Sequence, residues 1–187
     1  MSQTTLDIKE PGLNSLPPGV ERYVVEGGGL TGIQILPDDE IEILNNEGNQ
    51  ICEISVFNKD GKSELAILNL KESKDSSEIK KILFKKNETS LQALLQLKKR
   101  NLNIEKSKSS IVFDTGTKAG EKVKFKSKDK CYCIFAAPGN RMMIHEQNPS
   151  TELTITIKRS IIKKDKEFSL IPDPVYDPSN EINIART

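Results

Sequence analysis

Apolar and polar residues alternate with a period of two over several short windows of this chain. Ile33 and Ile35 flank Gln34, Ile41 and Ile43 alternate with Glu40 and Glu42, and Leu153, Ile155 and Ile157 alternate with Thr154 and Thr156. That spacing predicts strands with one buried and one wet face. Residues 22–26 form another β-branched run, stopped at Gly27-Gly28-Gly29, where glycines permit a backbone turn. Without GxGxxG spacing or a following helix, a plain turn is expected there rather than a nucleotide site. Farther on, Ile51, Glu53, Ser55 and Phe57 point one way, and Cys52, Ile54 and Val56 the other. Asn58-Lys59-Asp60-Gly61 is a hairpin signal, with 65–70 as the returning strand, so 33–70 reads as a meander. Lys122-Val123-Lys124-Phe125-Lys126 predicts a sheet edge guarded by lysines, and 131–136 is apolar enough for a central strand.

The period changes in the middle. Ser76 or Ser77 is placed to cap a short helix carrying Ile79, Ile82 and Leu83 on one face. Asn87-Glu88-Thr89-Ser90 then precedes an apolar stripe of Leu91, Leu94, Leu95 and Leu97, with Lys98-Lys99-Arg100 suited to a helix C-terminus. The expected fold class is α+β and β-rich: two packed antiparallel sheets or a distorted barrel, with a short helical excursion at about 74–101. Residues 1–19, punctuated by Pro11-Gly12 and Pro17-Pro18-Gly19, read as a flexible tail; 20–160 form the domain. Residues 161–187 read as a Pro-rich linker, and Glu181-Ile182-Asn183-Ile184 as the opening of a strand leading into a further domain.

Composition narrows the function classes. With 28 basic and 27 acidic residues in 187, a net charge of +1 carries no general nucleic-acid footprint. No apolar run reaches the length of a membrane span, so neither nucleic acid nor membrane is an expected partner. Aromatics make up 5% and Trp is absent, so the core must rest on Ile, Leu and Val. Three cysteines, Cys52, Cys131 and Cys133, with no secretory signal, point to a reducing cytoplasm.

Candidate chemistry is sparse. Cys131 and Cys133 share one strand face, and with His145 they are the candidate metal ligands, completed by Cys52, Glu146 or Glu53. The same CxC is what a buried strand looks like, since free cysteine packs as a small hydrophobe. His145 is the sole histidine and so the only imidazole base; Glu53 and Glu146 are the carboxylates that would work with it as catalytic candidates. Glu146, Gln147, Asn148, Thr151 and Glu152 concentrate polar groups beside a strand, and Asn148 and Thr151 also suit a turn bonding its own backbone.

Two segments resemble a known family. Gly48-x-Gln50-x-x-Glu53, followed by Phe57-Asn58, is similar to the early motif of the urea carboxylase-associated family, Gly-x-Gln-x-x-Asp before an apolar strand ending in Asn. Asn148-Pro149-Ser150-Thr151-Glu152-Leu153 is similar to its late motif, an Asn-Pro turn before Thr-Asp and the final strand; both carboxylates are Glu here. The likeness covers about 20–70 and 110–159. Some members are metal-dependent deiminases of carboxylated guanidine compounds. In this chain Ala136-Ala137-Pro138-Gly139 stands where a metal-holding member places Cys before Pro. Segments similar to 21–70 and 136–158 also occur at the N-terminus of bacterial aminomethyltransferase-like proteins, ahead of a domain like the glycine cleavage T-protein. The resemblance implies a non-catalytic accessory or ligand-binding module of such a transferase, in one-carbon and amine metabolism. Gln50, Glu53, Asn148, Thr151 and Glu152 would hold a small polar amine or carboxylate. It implies no cofactor in this chain, tetrahydrofolate in a following domain, and the parent chain's C-terminal domains or a homo-oligomer as partners. The alternatives are a divergent metal-dependent deiminase or hydrolase acting on a small amine or urea-like compound, and a protein-interaction domain.

Overall fold

The structure, a computed structural model, describes residues 19–74, 76–139 and 149–160, together with the backbone pairing of Ile8–Lys9. Among the described residues nine strands form two sheets: β1 (Ile8–Lys9), β2 (Val20–Val25), β3 (Leu30–Ile35), β4 (Glu40–Asn45), β5 (Cys52–Asn58), β6 (Ser109–Phe113), β7 (Glu121–Lys126), β8 (Cys131–Ala136) and β9 (Leu153–Lys158). One sheet runs β1-β3-β8-β5-β6 and the other β2-β9-β4-β7, and neither order closes on itself. Every pairing is antiparallel except that of β1, which adds parallel to the edge of β3. The expected pair of packed antiparallel sheets is therefore present, as an open sandwich.

Two apolar layers hold it together. Ile33, Ile35, Ile54, Val56 and Phe135 of the first sheet meet Val25, Ile41, Ile43, Ile155 and Ile157 of the second. The first sheet's other face packs Phe57, Ile134 and Ala136 against the helical excursion, α1 (Glu78–Leu83) and α2 (Glu88–Lys99), through Ile79, Leu83, Ala93 and Leu97. A sheet covered on both faces demands apolar residues at successive positions, which is why β5 and β8 are nearly continuous in burial. β4 and β9, wet on one face, alternate.

Arg159, just past β9, locks one end of the sandwich. Its guanidinium donates to Glu21 at 2.6 Å, to Asp39 at 2.7 Å and to the Gln34 carbonyl at 2.9 Å, while Asp39 also accepts from the Ser160 N–H at 2.8 Å. Tyr23 donates to Glu21 at 2.6 Å, and burial, then that carboxylate, pushes its phenol well above the usual range.

Three expectations are corrected. Residues 33–70 do not form a meander: β3, β4 and β5, like β2 before them, alternate between the two sheets, and no two consecutive members pair. Their partners come from the other end of the chain, β8 between β3 and β5 and β9 between β2 and β4. The strand expected at 65–70 is a short 3₁₀ turn, Leu65–Leu68, capped by Asn69 in the left-handed region. The hairpin signal does turn the chain, with the Gly61 N–H donating to the Asn58 carbonyl at 2.9 Å, but the ladder ends after one bridge, Phe57 to Ser63. Asn58 holds the loop by accepting from the N–H groups of Asp60 and Lys62 and donating to Glu64. Finally, α2 does not bury its whole leucine stripe: Ser90, Ala93 and Leu97 face the domain, and Leu91 and Leu95 are exposed. The strand expected at 181–184 lies outside the described residues.

Candidate functional site

Gln50, 1% exposed, ties three segments at one end of the sandwich. Its amide N–H groups donate to the carbonyls of Ile51 and Pro138, both at 2.9 Å, and its oxygen accepts the Thr151 N–H at 2.7 Å. Both donors are thereby used, so this side chain acts first as a clamp on the backbone. The preceding loop is shaped by buried Asn45, which donates to the Gln50 carbonyl at 2.8 Å and accepts the Gly48 N–H at 3.0 Å. Gly48 has φ +79°, and a Cβ there would stand 2.6 Å from the Ala119 nitrogen, so glycine is required on both counts. Gly27 meets a similar limit, since its Cβ would come within 2.4 Å of the Ser150 carbonyl oxygen. That close approach sets the turn after β2 against the segment entering β9.

Between them lies an open recess of about 650 Å³, lined by Val24, Glu26, Gly27, Glu47, Pro149, Ser150, Thr151 and Glu152. Among the described residues its lining includes the carboxylates of Glu26, Glu47 and Glu152, and Val24 and Pro149 supply an apolar wall. Asn46 steadies the rim, donating to Thr154 Oγ1 at 3.0 Å and to Glu152 at 3.3 Å. The Thr151 hydroxyl is buried and finds no partner among the described residues.

The expected site residues are dispersed. Thr151 and Glu152 line the recess and Gln50 braces it. Glu53 stands apart: wholly buried, it accepts the Glu78 N–H at the start of α1 at 2.8 Å and the Ser109 hydroxyl at 2.5 Å, joining β5, α1 and β6. His145, Glu146 and Asn148 lie outside the described residues. Cys131 and Cys133 are free and buried, with their sulfurs 3.8 Å apart and Ser127 Oγ 3.6 Å from Cys131. Contact with Cys133 lowers the Cys131 thiol, whereas burial pushes Cys133 well up. Cys52, pushed up by burial, sits toward the other end of β5, because Cys131 is opposite Asn58. The Cys131 and Cys133 sulfurs are the nearest approach to a soft-metal donor set among the described residues, which contain no group of three His, Cys, Asp or Glu placed to hold a metal ion. Sequence reasoning missed Glu26 and Glu47; each sits beside a glycine-bearing turn, but nothing local marks the two as neighbours.

No family model matches the chain. It is 34% identical over 178 residues to the trimethylamine-oxide aldolase of Ruegeria pomeroyi, an alignment covering 95% of this chain and 22% of that protein. The chain thus spans about a fifth of that curated relative's length. The relative is named an aldolase and not an aminomethyltransferase. A DUF1989 family protein from Silicibacter pomeroyi, known from its crystal structure, is 10% identical, with a TM-score of 0.44 over 86% of each chain.

Proposed function

We propose that this domain is a non-catalytic accessory module that binds a small methylated amine for a protein of amine and one-carbon metabolism. The carrying observation is the recess: the carboxylates of Glu26, Glu47 and Glu152 line it beside an apolar wall of Val24 and Pro149. An alkylammonium ion places its charge among the carboxylates and its methyl groups against Val24 and Pro149. The relative named for an amine oxide supports this class of ligand.

The test is an NMR titration of the chain with trimethylammonium and with uncharged tert-butanol of similar shape. Trimethylammonium should shift the amides of Glu47, Thr151 and Glu152, and the alcohol should not. Glu47→Gln with Glu152→Gln should weaken binding roughly two- to thirty-fold, the span of two solvent-screened ion pairs. Equal responses to both compounds, or none to either, would remove the amine reading. The enzymatic rival, a metal-dependent deiminase or hydrolase, is favoured by the 3.8 Å contact of Cys131 with Cys133. Stoichiometric metal in the purified chain, lost in Cys133→Ser, would speak for it.

A further inference from the structure

Three of the four most exposed large hydrophobic side chains among the described residues lie on the helical excursion: Phe84 at 44%, Leu91 at 56% and Leu95 at 60%. With about 100° between successive residues, Ser90, Ala93 and Leu97 centre the buried face of α2, and half-buried Leu94 borders it. Leu91 and Leu95 extend the apolar arc well beyond that border. The helix therefore carries more apolar surface than its own domain covers, and a recess of about 320 Å³ floored by Phe84, Leu94, Leu102 and Ile104 adjoins it.

Charge decides what fits. Glu88, Leu91, Leu95 and Lys98 follow one another at spacings of three, four and three residues, the seam spacing of two packed helices, and all four are exposed. Neither Glu88 nor Lys98 takes part in an ion pair among the described residues. The seam is self-complementary in one direction only. Laid antiparallel across a two-fold axis, Leu91 of one copy meets Leu95 of the other and Glu88 meets Lys98, and the axis repeats both contacts. Laid parallel, Glu88 would face Glu88 and Lys98 would face Lys98.

We propose that this face of α2 is the contact between two copies of the chain, packed antiparallel with four leucines flanked by two Glu–Lys pairs. One helix pair is smaller than a standard interface of about 1,600 Å², so the dimer is weak and concentration-dependent.

Sedimentation equilibrium of the full chain, up to about 1 mM, tests it, with circular dichroism confirming that each variant folds. The wild type should dimerise reversibly. Glu88→Lys alone and Lys98→Glu alone should each associate at least about ten-fold more weakly, because each sets like charges opposite one another. Mixed together, these two variants should dimerise with each other, since both pairs are again of opposite sign. Leu91→Gln with Leu95→Gln should abolish association in either background. A chain that stays monomeric throughout would assign the face to a different polypeptide and overturn the proposal. Single charge variants that dimerise like the wild type, or a mixture that fails to dimerise, would overturn it as well.

Discussion

A full charge buried at Arg159 is tolerable only because Glu21, Asp39 and the Gln34 carbonyl surround it. Arg159→Ala removes the guanidinium and leaves two carboxylates in the interior without it. We expect a loss of about 3–5 kcal/mol in urea unfolding, the usual cost of breaking a buried ion pair from one side. Arg159→Met, which fills the space, should be equally poor, since the carboxylates and not the volume set the penalty. At Gln50 the question is whether the amide serves the fold or a ligand. Its donors are committed to Ile51 and Pro138, so Gln50→Ala should cost about 1–3 kcal/mol through orphaned buried carbonyls. Glu152→Gln, on the exposed rim, should stay within about 0.5 kcal/mol of the wild type. If Gln50→Ala keeps full stability in the same urea titration, the clamp assignment is lost. Glu152 and Thr151 were legible in the sequence as polar residues at a strand entrance. The carboxylates opposite were not, because Glu26 and Glu47 reach the recess only through strand pairings formed across the whole chain.

Elements follow the sequence where local pattern and environment agree. Alternation marked β4, β7 and β9, and the lysines of β7 do lie on a sheet edge. Asn87 caps α2 by accepting the Ser90 N–H at 2.8 Å, while α1 starts at Ser77 with no side-chain cap of its own and with the Glu53 carboxylate at its first N–H. The pattern fails where two apolar faces compete, as on α2, since a stripe does not say which half of itself meets the domain. The β4–β7 pairing gives a pH-dependent prediction. Hydrogen bonding from Lys122, with a further contribution from Lys124, holds the Glu42 carboxyl below the usual carboxylate range. Its folded pKa is lower than its unfolded one, near about 4.3. The pairing therefore contributes stability above that value and loses it as pH falls through the depressed folded value. Glu42 is partly exposed, so the contribution is about 0.2–1 kcal/mol. The stability difference between wild type and Lys122→Gln should be present at neutral pH and shrink in acid, followed by urea unfolding at each pH. A difference that grows in acid would contradict the assignment.

At the scale of the molecule, the order of strands in space departs furthest from their order in the chain. Four N-terminal strands are dealt alternately to two sheets, and none can complete a ladder with its sequence neighbour. Short turns after β2 and β3, which look like hairpin connections, instead carry the chain from one sheet to the other. The strands that finish the structure, β8 and β9, arrive about a hundred residues later and insert centrally. Alternation predicts that a strand exists and which face is wet; it holds no information about a partner so distant, which is why the sandwich was legible and its topology was not. The consequence is cooperativity concentrated at the C-terminal side. A chain ending at Ser150 retains β2 and β4 but lacks β9, the strand that pairs with both, and also loses Arg159. It should lack a cooperative unfolding transition and give a collapsed amide spectrum, even though α1, α2 and most strands are still encoded. In the intact chain, the amides of β8 and β9 should be the slowest to exchange with solvent and those of edge strand β7 among the fastest of the strands. If β7 exchanges as slowly as β9, β7 is not an open edge of the second sheet and must be covered by a further strand.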